Sequence, residues 1–152
     1  IWKTLPESVR AEAKADSVHI AMFPEVDPRW ADSKLAQRWE KLLDVRVAVQ
    51  AALEVKRRDK VIGAPLEARV VIEAQPASYD LLKGYGPDLP AFFIVSDVVL
   101  KELPDVSDGP AVTITVEKAT GTKCERCWNY RSAVGTFPDH PTLCDRCVEA
   151  VR

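Results

Sequence analysis

The sequence lacks any long apolar run, and it contains no cysteine before position 124. No stretch approaches the roughly 20 apolar residues that span a bilayer, and no signal-peptide pattern opens the chain, which argues against a membrane or secreted protein. The chain opens Ile1-Trp2-Lys3, and its one methionine is Met22. We therefore expect a cytoplasmic protein of which these 152 residues are one piece.

Motifs of catalysis are absent as well. The chain contains no G-x-x-x-x-G-K-[ST] phosphate loop, no G-x-S-x-G nucleophile elbow and no histidine beside a cysteine in a catalytic setting. We expect these residues to perform no chemistry themselves, so we assign no catalytic and no cofactor-binding residue.

Charge is segregated along the chain, although its net value is only -2. Residues 34–60 carry 8 basic and 4 acidic side chains, a net of +4. Residues 61–117 carry 3 basic and 9 acidic side chains, a net of -6. A bound nucleic acid should therefore approach segment 34–60 and avoid segment 61–117.

One long amphipathic helix is predicted from about residue 28 to residue 60. Asp27-Pro28 is typical of a helix start, with Asp27 as the N-cap and Pro28 in the first turn. Gly63 and Pro65 are suited to end the helix. Between them apolar residues recur at intervals of three and four, and this stripe consists of Leu35, Trp39, Leu42, Val49 and Leu53.

Shorter elements are predicted around this helix. They are strands at 17–23 (ended by Pro24), 66–72, 92–100 and 111–116, a helix at 77–83, a turn at 104–110 and a linker at 117–122. The expected fold class is α+β, with the long amphipathic helix packed on a small, mostly antiparallel sheet. A four-cysteine zinc module of ribbon or knuckle type follows.

The four cysteines form the pattern C-x2-C-x16-C-x2-C. Each C-x2-C pair suits a tight turn that points both sulfurs to one centre, and two such turns can bind one zinc ion at about 2.3 Å. Four protein ligands leave no open coordination position, so the zinc ion is structural. The predicted ligands are Cys124, Cys127, Cys144 and Cys147.

Alternatives to this site stay open from the sequence. The cysteines could form disulfides or remain free thiols, although their spacing and their confinement to one end favour a metal. His140 could be a fifth ligand, but the complete cysteine set favours an exposed loop histidine.

Aromatic and basic side chains raise a second question. Trp128 either packs in the small core of the zinc module or stacks on an unpaired base of a nucleic acid. The basic residues between Lys56 and Lys60 either complement the helix dipole or contact phosphates. Arg46 is near the middle of the apolar stripe. Three alternatives are open for its side chain: it extends along apolar surface, it pairs with an acidic residue, or it faces a partner that packs on the stripe.

Several short runs of residues carry a family resemblance. The runs are W-E-K-L-L-D-V-R at 39–46, A-L-E at 52–54, I-G-x-x-L-E-A at 62–68, K-C-x-R-C-W at 123–128 and C-x-R-C at 144–147. Together, and in this order, they resemble the C-terminal part of bacterial-type isoleucyl-tRNA synthetases. Ile1-Trp2-Lys3 likewise resembles the end of a helix in the anticodon-binding domain of that family.

The resemblance implies a class I synthetase that uses ATP to join isoleucine to its tRNA, with the catalytic and editing sites upstream. It implies three parts: the end of the anticodon-binding helical domain at 1–27, a helix plus small α/β domain at 28–117, and the zinc module at 118–152. The expected partners are the tRNA, through its anticodon stem-loop, and the rest of the synthetase, without a membrane. The parent enzyme is expected to be a monomer.

The side chains expected to contact RNA lie in the zinc module and at the end of the long helix. They are Trp128, Lys123, Arg126, Arg131, Arg146, Lys56, Arg57, Arg58 and Lys60. Two competing functions remain: the C-terminal finger of a formamidopyrimidine-DNA glycosylase, and a purely structural zinc module. The glycosylase hypothesis requires an N-terminal proline nucleophile and a helix-two-turn-helix, and the chain shows neither.

Overall fold

The computed structural model describes residues 2–13, 15–23, 25–104 and 109–151, and its contacts divide the chain into two units, residues 1–34 and 35–152. The first unit contains a 3-10 turn at Trp2–Thr4 and helix α1, Glu7–Ala13. No helix in the described parts of the chain could span a bilayer.

The strand predicted at 17–23 is wrong. The N–H groups of Ile20 and Ala21 both donate to the Ser17 carbonyl, at 3.2 and 3.1 Å, and close a turn instead. Pro24, which was expected to end that strand, lies outside the described residues. Apolar side chains of this unit are largely exposed, and Phe23 reaches 98%.

The long helix begins later than predicted. Asp27 does act as a cap, because its carboxylate accepts the N–H of Arg29 at 2.9 Å, but the turn that it caps is a short 3-10 helix at Pro28–Trp30. The main helix, α2, is Ser33–Arg58.

Helix α2 ends at Arg58, close to the predicted end at about residue 60, but Gly63 does not supply the residue that closes it. Lys60 adopts a left-handed conformation at φ 58°. The Val61 N–H then donates to the Lys56 carbonyl at 3.0 Å and the Lys60 N–H to the Arg57 carbonyl at 3.1 Å, which is a Schellman motif. The helix is therefore closed before Gly63.

The buried stripe of α2 is shorter than predicted. Leu35 and Trp39 are 39% and 40% exposed, and Val45 is buried in the stripe although it was not predicted to be. Arg46 lies beside this face with its guanidinium 5.3 Å from the centre of the Phe92 ring. The buried residues of α2 are Leu42, Val45, Val49 and Leu53.

The sheet is three-stranded and mixed. Its strands are β1, Ala68–Ala74, β2, Asp97–Glu102, and β3, Val112–Lys118, in the order β2-β1-β3. Strand β1 pairs parallel with β2 and antiparallel with β3, so this sheet is not mostly antiparallel. The α+β class is confirmed. The connection from β1 to β2 contains helices α3, Pro76–Lys83, and α4, Leu89–Phe93.

Two predicted boundaries in this region are wrong. The strand predicted at 92–100 begins with the end of α4, because Ile94 at φ 60° closes that helix and the strand starts only at Asp97. The strand predicted at 66–72 is shifted, since Pro65–Glu67 forms a 3-10 turn. Most of the turn predicted at 104–110 falls on residues 105–108, which lie outside the described residues.

Strand β1 is the centre of the hydrophobic core. Alternate residues of the strand, from Ala68 to Ala74, are fully buried and join the apolar face of α2. We name residues 35–117 the α/β body and residues 118–152 the zinc module. The module contains β4, Thr122–Lys123, paired antiparallel with β5, Tyr130–Arg131, and helix α5, Asp145–Val151.

Candidate metal centre and nucleic-acid interface

A short hairpin carries the first pair of cysteines. Strands β4 and β5 flank residues 124–129, and the Cys124 N–H donates to the Asn129 carbonyl at 2.9 Å. The Trp128 N–H donates back to the Cys124 carbonyl at 2.8 Å. These bonds close a tight turn with both thiols on its inner side.

Gly121 is required where this hairpin begins. It adopts φ +92°, and a Cβ there would lie 2.5 Å from the carbonyl carbon of Arg131. A side chain at this position is therefore excluded both by backbone conformation and by the close approach of strand β5.

The second pair of cysteines lies at the start of α5. The N–H groups of Cys147 and Val148 donate to the Cys144 carbonyl at 3.0 and 2.9 Å, so the first helical turn holds both thiols on one side. The Cys144 N–H also donates to the Cys124 sulfur at 3.3 Å, which links the two pairs directly.

The four sulfurs converge on one point. All of them lie within 4.8 Å of one another, and the Cys127 and Cys144 sulfurs are 3.7 Å apart. A disulfide requires about 2.0 Å, whereas a tetrahedron with zinc–sulfur bonds of about 2.3 Å has edges of about 3.8 Å. None of the four cysteines forms a disulfide. The cluster fits one structural zinc ion and not a pair of disulfides.

The local environment prepares some of these thiols for metal binding. Burial opposes ionisation of Cys127, but the side chain and backbone of Asn129 favour the thiolate and lower its pKa to about 6. Burial instead dominates at Cys144 and raises its pKa to about 12. Four adjacent thiolates repel one another, and a divalent cation offsets that repulsion when it displaces the remaining protons.

Two arginines among the predicted RNA contacts face the sulfurs. The Arg126 Nη1 donates to the Cys147 sulfur at 3.7 Å. A hydrogen bond to the Cys127 thiolate raises the pKa of Arg146. A zinc ion with four thiolates carries a formal charge of -2, so these guanidinium groups neutralise the metal centre and orient its ligands.

Trp128 lies on the surface of the module. The residue is 60% exposed, whereas the apolar side chains packed on the sulfur cluster are those of Val134 and Leu143. The Lys123 Nζ lies 5.4 Å from the centre of the indole ring. Of the two alternatives for Trp128, the structure contradicts burial in the small core.

The backbone at Trp128 is unusual for a large residue. Its φ of 65° is in the left-handed region, which costs about 1–2 kcal/mol for a residue with a Cβ. Glycine is the ordinary choice at such a position. Backbone strain of this kind is often found at functional sites.

The basic end of α2 forms a separate group. Arg57 is engaged by Glu54, with its Nη2 2.7 Å from Oε1, while Arg58 and Lys60 extend from an exposed surface. Lys56 is half-buried. Among the described residues, no hydrogen bond or ion pair joins this group to the zinc module, so the structure does not bring the two predicted RNA patches into direct contact.

Two further expectations can be compared with the structure. Among the described residues, the cluster of metal-binding side chains consists of the four cysteines and does not include His140, which is half-buried. Arg46 contacts the Phe92 ring, in agreement with the alternative in which it lies along apolar surface.

The sequence interpretation missed Ser96. It is buried, at 2% exposure, and its hydroxyl accepts the Tyr130 N–H at 2.7 Å. The one signal in the sequence was its position as a hydroxyl residue within the apolar run at 92–100.

Comparisons with known proteins agree with this geometry. Residues 121–150 match the family described as "Zinc finger found in FPG and IleRS". The chain is similar to the isoleucine–tRNA ligase of Syntrophotalea carbinolica, at 41% identity over 97% of the chain and 16% of that protein. It is similar to the isoleucine–tRNA ligase of Geobacter sulfurreducens at 41% identity, over 100% of the chain and 16% of that protein. It is also similar to the isoleucine–tRNA ligase of Symbiobacterium thermophilum at 43% identity, over 87% of the chain and 15% of that protein.

These matches confirm the resemblance inferred from the sequence. The similarity extends over the whole chain and is not confined to the zinc module. The chain spans about one sixth of the length of the curated relatives that it matches.

Proposed function

We propose that this chain is the C-terminal, non-catalytic region of an isoleucine–tRNA ligase and that it recognises the anticodon side of the tRNA. The whole enzyme activates isoleucine with ATP and charges its tRNA in the cytoplasm, with catalysis and editing in other parts of a monomeric polypeptide. The similarity of the whole chain to ligase segments supports this proposal. The three parts at 1–27, 28–117 and 118–152 belong to the same proposal.

The observation that carries the RNA-binding role is the exposed indole of Trp128 beside Lys123. Unpaired bases of RNA loops stack on aromatic rings, and a nearby cation attracts the adjacent phosphate. Arg131, in strand β5 of the same hairpin, belongs to the same proposed set of RNA contacts. Arg126 and Arg146 contribute indirectly, because they hold the metal centre beneath it.

The basic end of α2 supplies the second part of the proposed interface. Lys56, Arg58 and Lys60 contact phosphates of the anticodon stem, whereas Arg57 contributes less because Glu54 neutralises it. Such contacts carry no sequence information and hold the RNA in place. The acidic segment 61–117 faces away from the tRNA in this arrangement.

Charging and amino-acid activation can be measured separately in the full-length ligase. Removal of residues 118–152 should leave isoleucyl-adenylate formation intact, abolish charging of the tRNA and remove the anticodon-loop footprint. Cys147→Ser, which keeps the chain length but removes one predicted zinc ligand, should have the same effects. Unchanged charging in both variants would refute the proposal and leave a purely structural zinc module.

A further inference from the structure

One buried hydroxyl joins the two parts of the second unit. Ser96 immediately precedes strand β2 and is 2% exposed. Its Oγ donates to the Leu66 carbonyl within the α/β body and accepts the Tyr130 N–H of the zinc module at 2.7 Å. A serine hydroxyl has one donor and two acceptor positions, so a single side chain bonds both parts.

The Ser96 hydroxyl itself is held rigidly. The Ser96 N–H donates to the Ala68 carbonyl at 3.1 Å, which continues the parallel pairing of β1 and β2 to this residue. Rotation of the hydroxyl is then fixed by its bond to the Leu66 carbonyl. The acceptor presented to Tyr130 therefore has a defined place on the α/β body.

A short path leads from this bond to the exposed indole. Tyr130 pairs with Lys123 across the β4–β5 hairpin, and it follows Trp128 by two residues. The Ala119 N–H donates to the Glu67 carbonyl at 2.7 Å and holds the covalent connection next to the start of strand β1, where Ser96 also lies. The β4–β5 hairpin is thus bonded to the α/β body both just before strand β4, through Ala119, and in strand β5, through Tyr130.

We propose that Ser96 is a positioning residue that holds the zinc module in one orientation on the α/β body. Trp128 is thereby presented to the tRNA at a fixed place, and this second part rests on the proposed function. Without the hydroxyl, the Tyr130 N–H loses its acceptor and the module rotates about residues 119–121.

The test uses the zinc-loaded chain labelled for NMR, with Ser96→Ala, Ser96→Thr and the matched control Thr136→Ala. Thr136 also donates a hydroxyl hydrogen bond, to the Ala133 carbonyl at 2.8 Å, but within the module. In Ser96→Ala, exchange of the Tyr130 amide should accelerate roughly fivefold to tenfold, as expected for one lost hydrogen bond. Residual dipolar couplings of body and module should no longer fit one common alignment.

Zinc content should remain one ion per chain in every variant, and Ser96→Thr should restore the common alignment because it keeps the hydroxyl. Thr136→Ala should behave as the unmodified chain. A common alignment and unchanged Tyr130 exchange in Ser96→Ala would overturn the proposal.

Affinity for an anticodon stem-loop separates the two proposals. If the unmodified chain binds the RNA, Ser96→Ala should weaken binding about fivefold or more, and equal binding despite lost alignment would overturn the role in presenting Trp128. If the unmodified chain does not bind the RNA, the proposed function fails, while the alignment and exchange measurements still decide the structural role of Ser96.

Discussion

Replacement of Trp128 by glycine should separate the stability of the zinc module from its affinity for RNA. Glycine relieves the left-handed backbone at φ 65°, a gain of about 1–2 kcal/mol. Because Trp128 is 60% exposed, the same change removes about 100 Å² of buried surface, worth about 2 kcal/mol at most. The two effects nearly cancel, so the free energy of unfolding should change by about 1 kcal/mol or less.

Affinity should respond quite differently. Stacking of a base on an aromatic ring contributes about 1–3 kcal/mol, so Trp128→Gly should weaken binding of the anticodon stem-loop by roughly fivefold to 150-fold. The dissociation constant is measured by fluorescence anisotropy of a labelled stem-loop, and stability by urea unfolding of the zinc-loaded chain.

Matched variants define what a loss of affinity means. Trp128→Phe keeps an aromatic face and should retain most of the affinity. Trp128→Asn tolerates the left-handed backbone but offers no ring, so it should behave as the glycine variant. Trp30→Ala removes another exposed indole outside the module and should leave binding within about twofold. Equal affinity of the glycine variant and the unmodified chain would refute the stacking argument.

Three further outcomes are expected. Chelation of zinc should unfold the module and leave the α/β body folded, as measured by circular dichroism. Because protons compete with zinc for the thiolates, zinc affinity should decrease as the pH is lowered, most steeply below the Cys127 pKa of about 6. Gly121→Ala should lower the free energy of unfolding, measured in urea, by about 3 kcal/mol or more. Gly135→Ala should lower it by about 1 kcal/mol, because Gly135 has φ +94° but no atom within 4 Å of an added Cβ. Arg58→Ala and Lys60→Ala should each reduce the slope of log affinity against log salt by about 0.7–0.9.

Sequence periodicity located the main elements but not all of their ends. The long helix was predictable because its apolar spacing persists over many residues. Its end near residue 60 was predictable as well, but the residue that closes it was not, because a lysine at position 60 occupies the left-handed position for which glycine is the usual signal. The apolar run at 92–100 was predicted as one strand although its first residues end helix α4, because a short buried helix and a buried strand have the same composition there.

The metal centre was predictable from spacing alone, because tetrahedral coordination restricts which cysteine intervals can converge. The surroundings of the centre were not. Exposure of Trp128, the bonds from Arg126 and Arg146 to sulfur, and the bond from Ser96 to Tyr130 all depend on how the module folds on itself and on the body. These are tertiary contacts, and no local pattern in the sequence specifies them.

The indole N–H signal of Trp128 tests the central claim most directly, because Trp39 of the α/β body supplies an internal reference in the same spectrum. The isoleucine tRNA anticodon stem-loop is titrated into the zinc-loaded chain and the indole N–H signals are followed by NMR. The Trp128 signal should shift in a saturable manner while the Trp39 signal stays in place, and an unrelated stem-loop should shift Trp128 less. An unchanged Trp128 signal at saturating RNA would contradict the account.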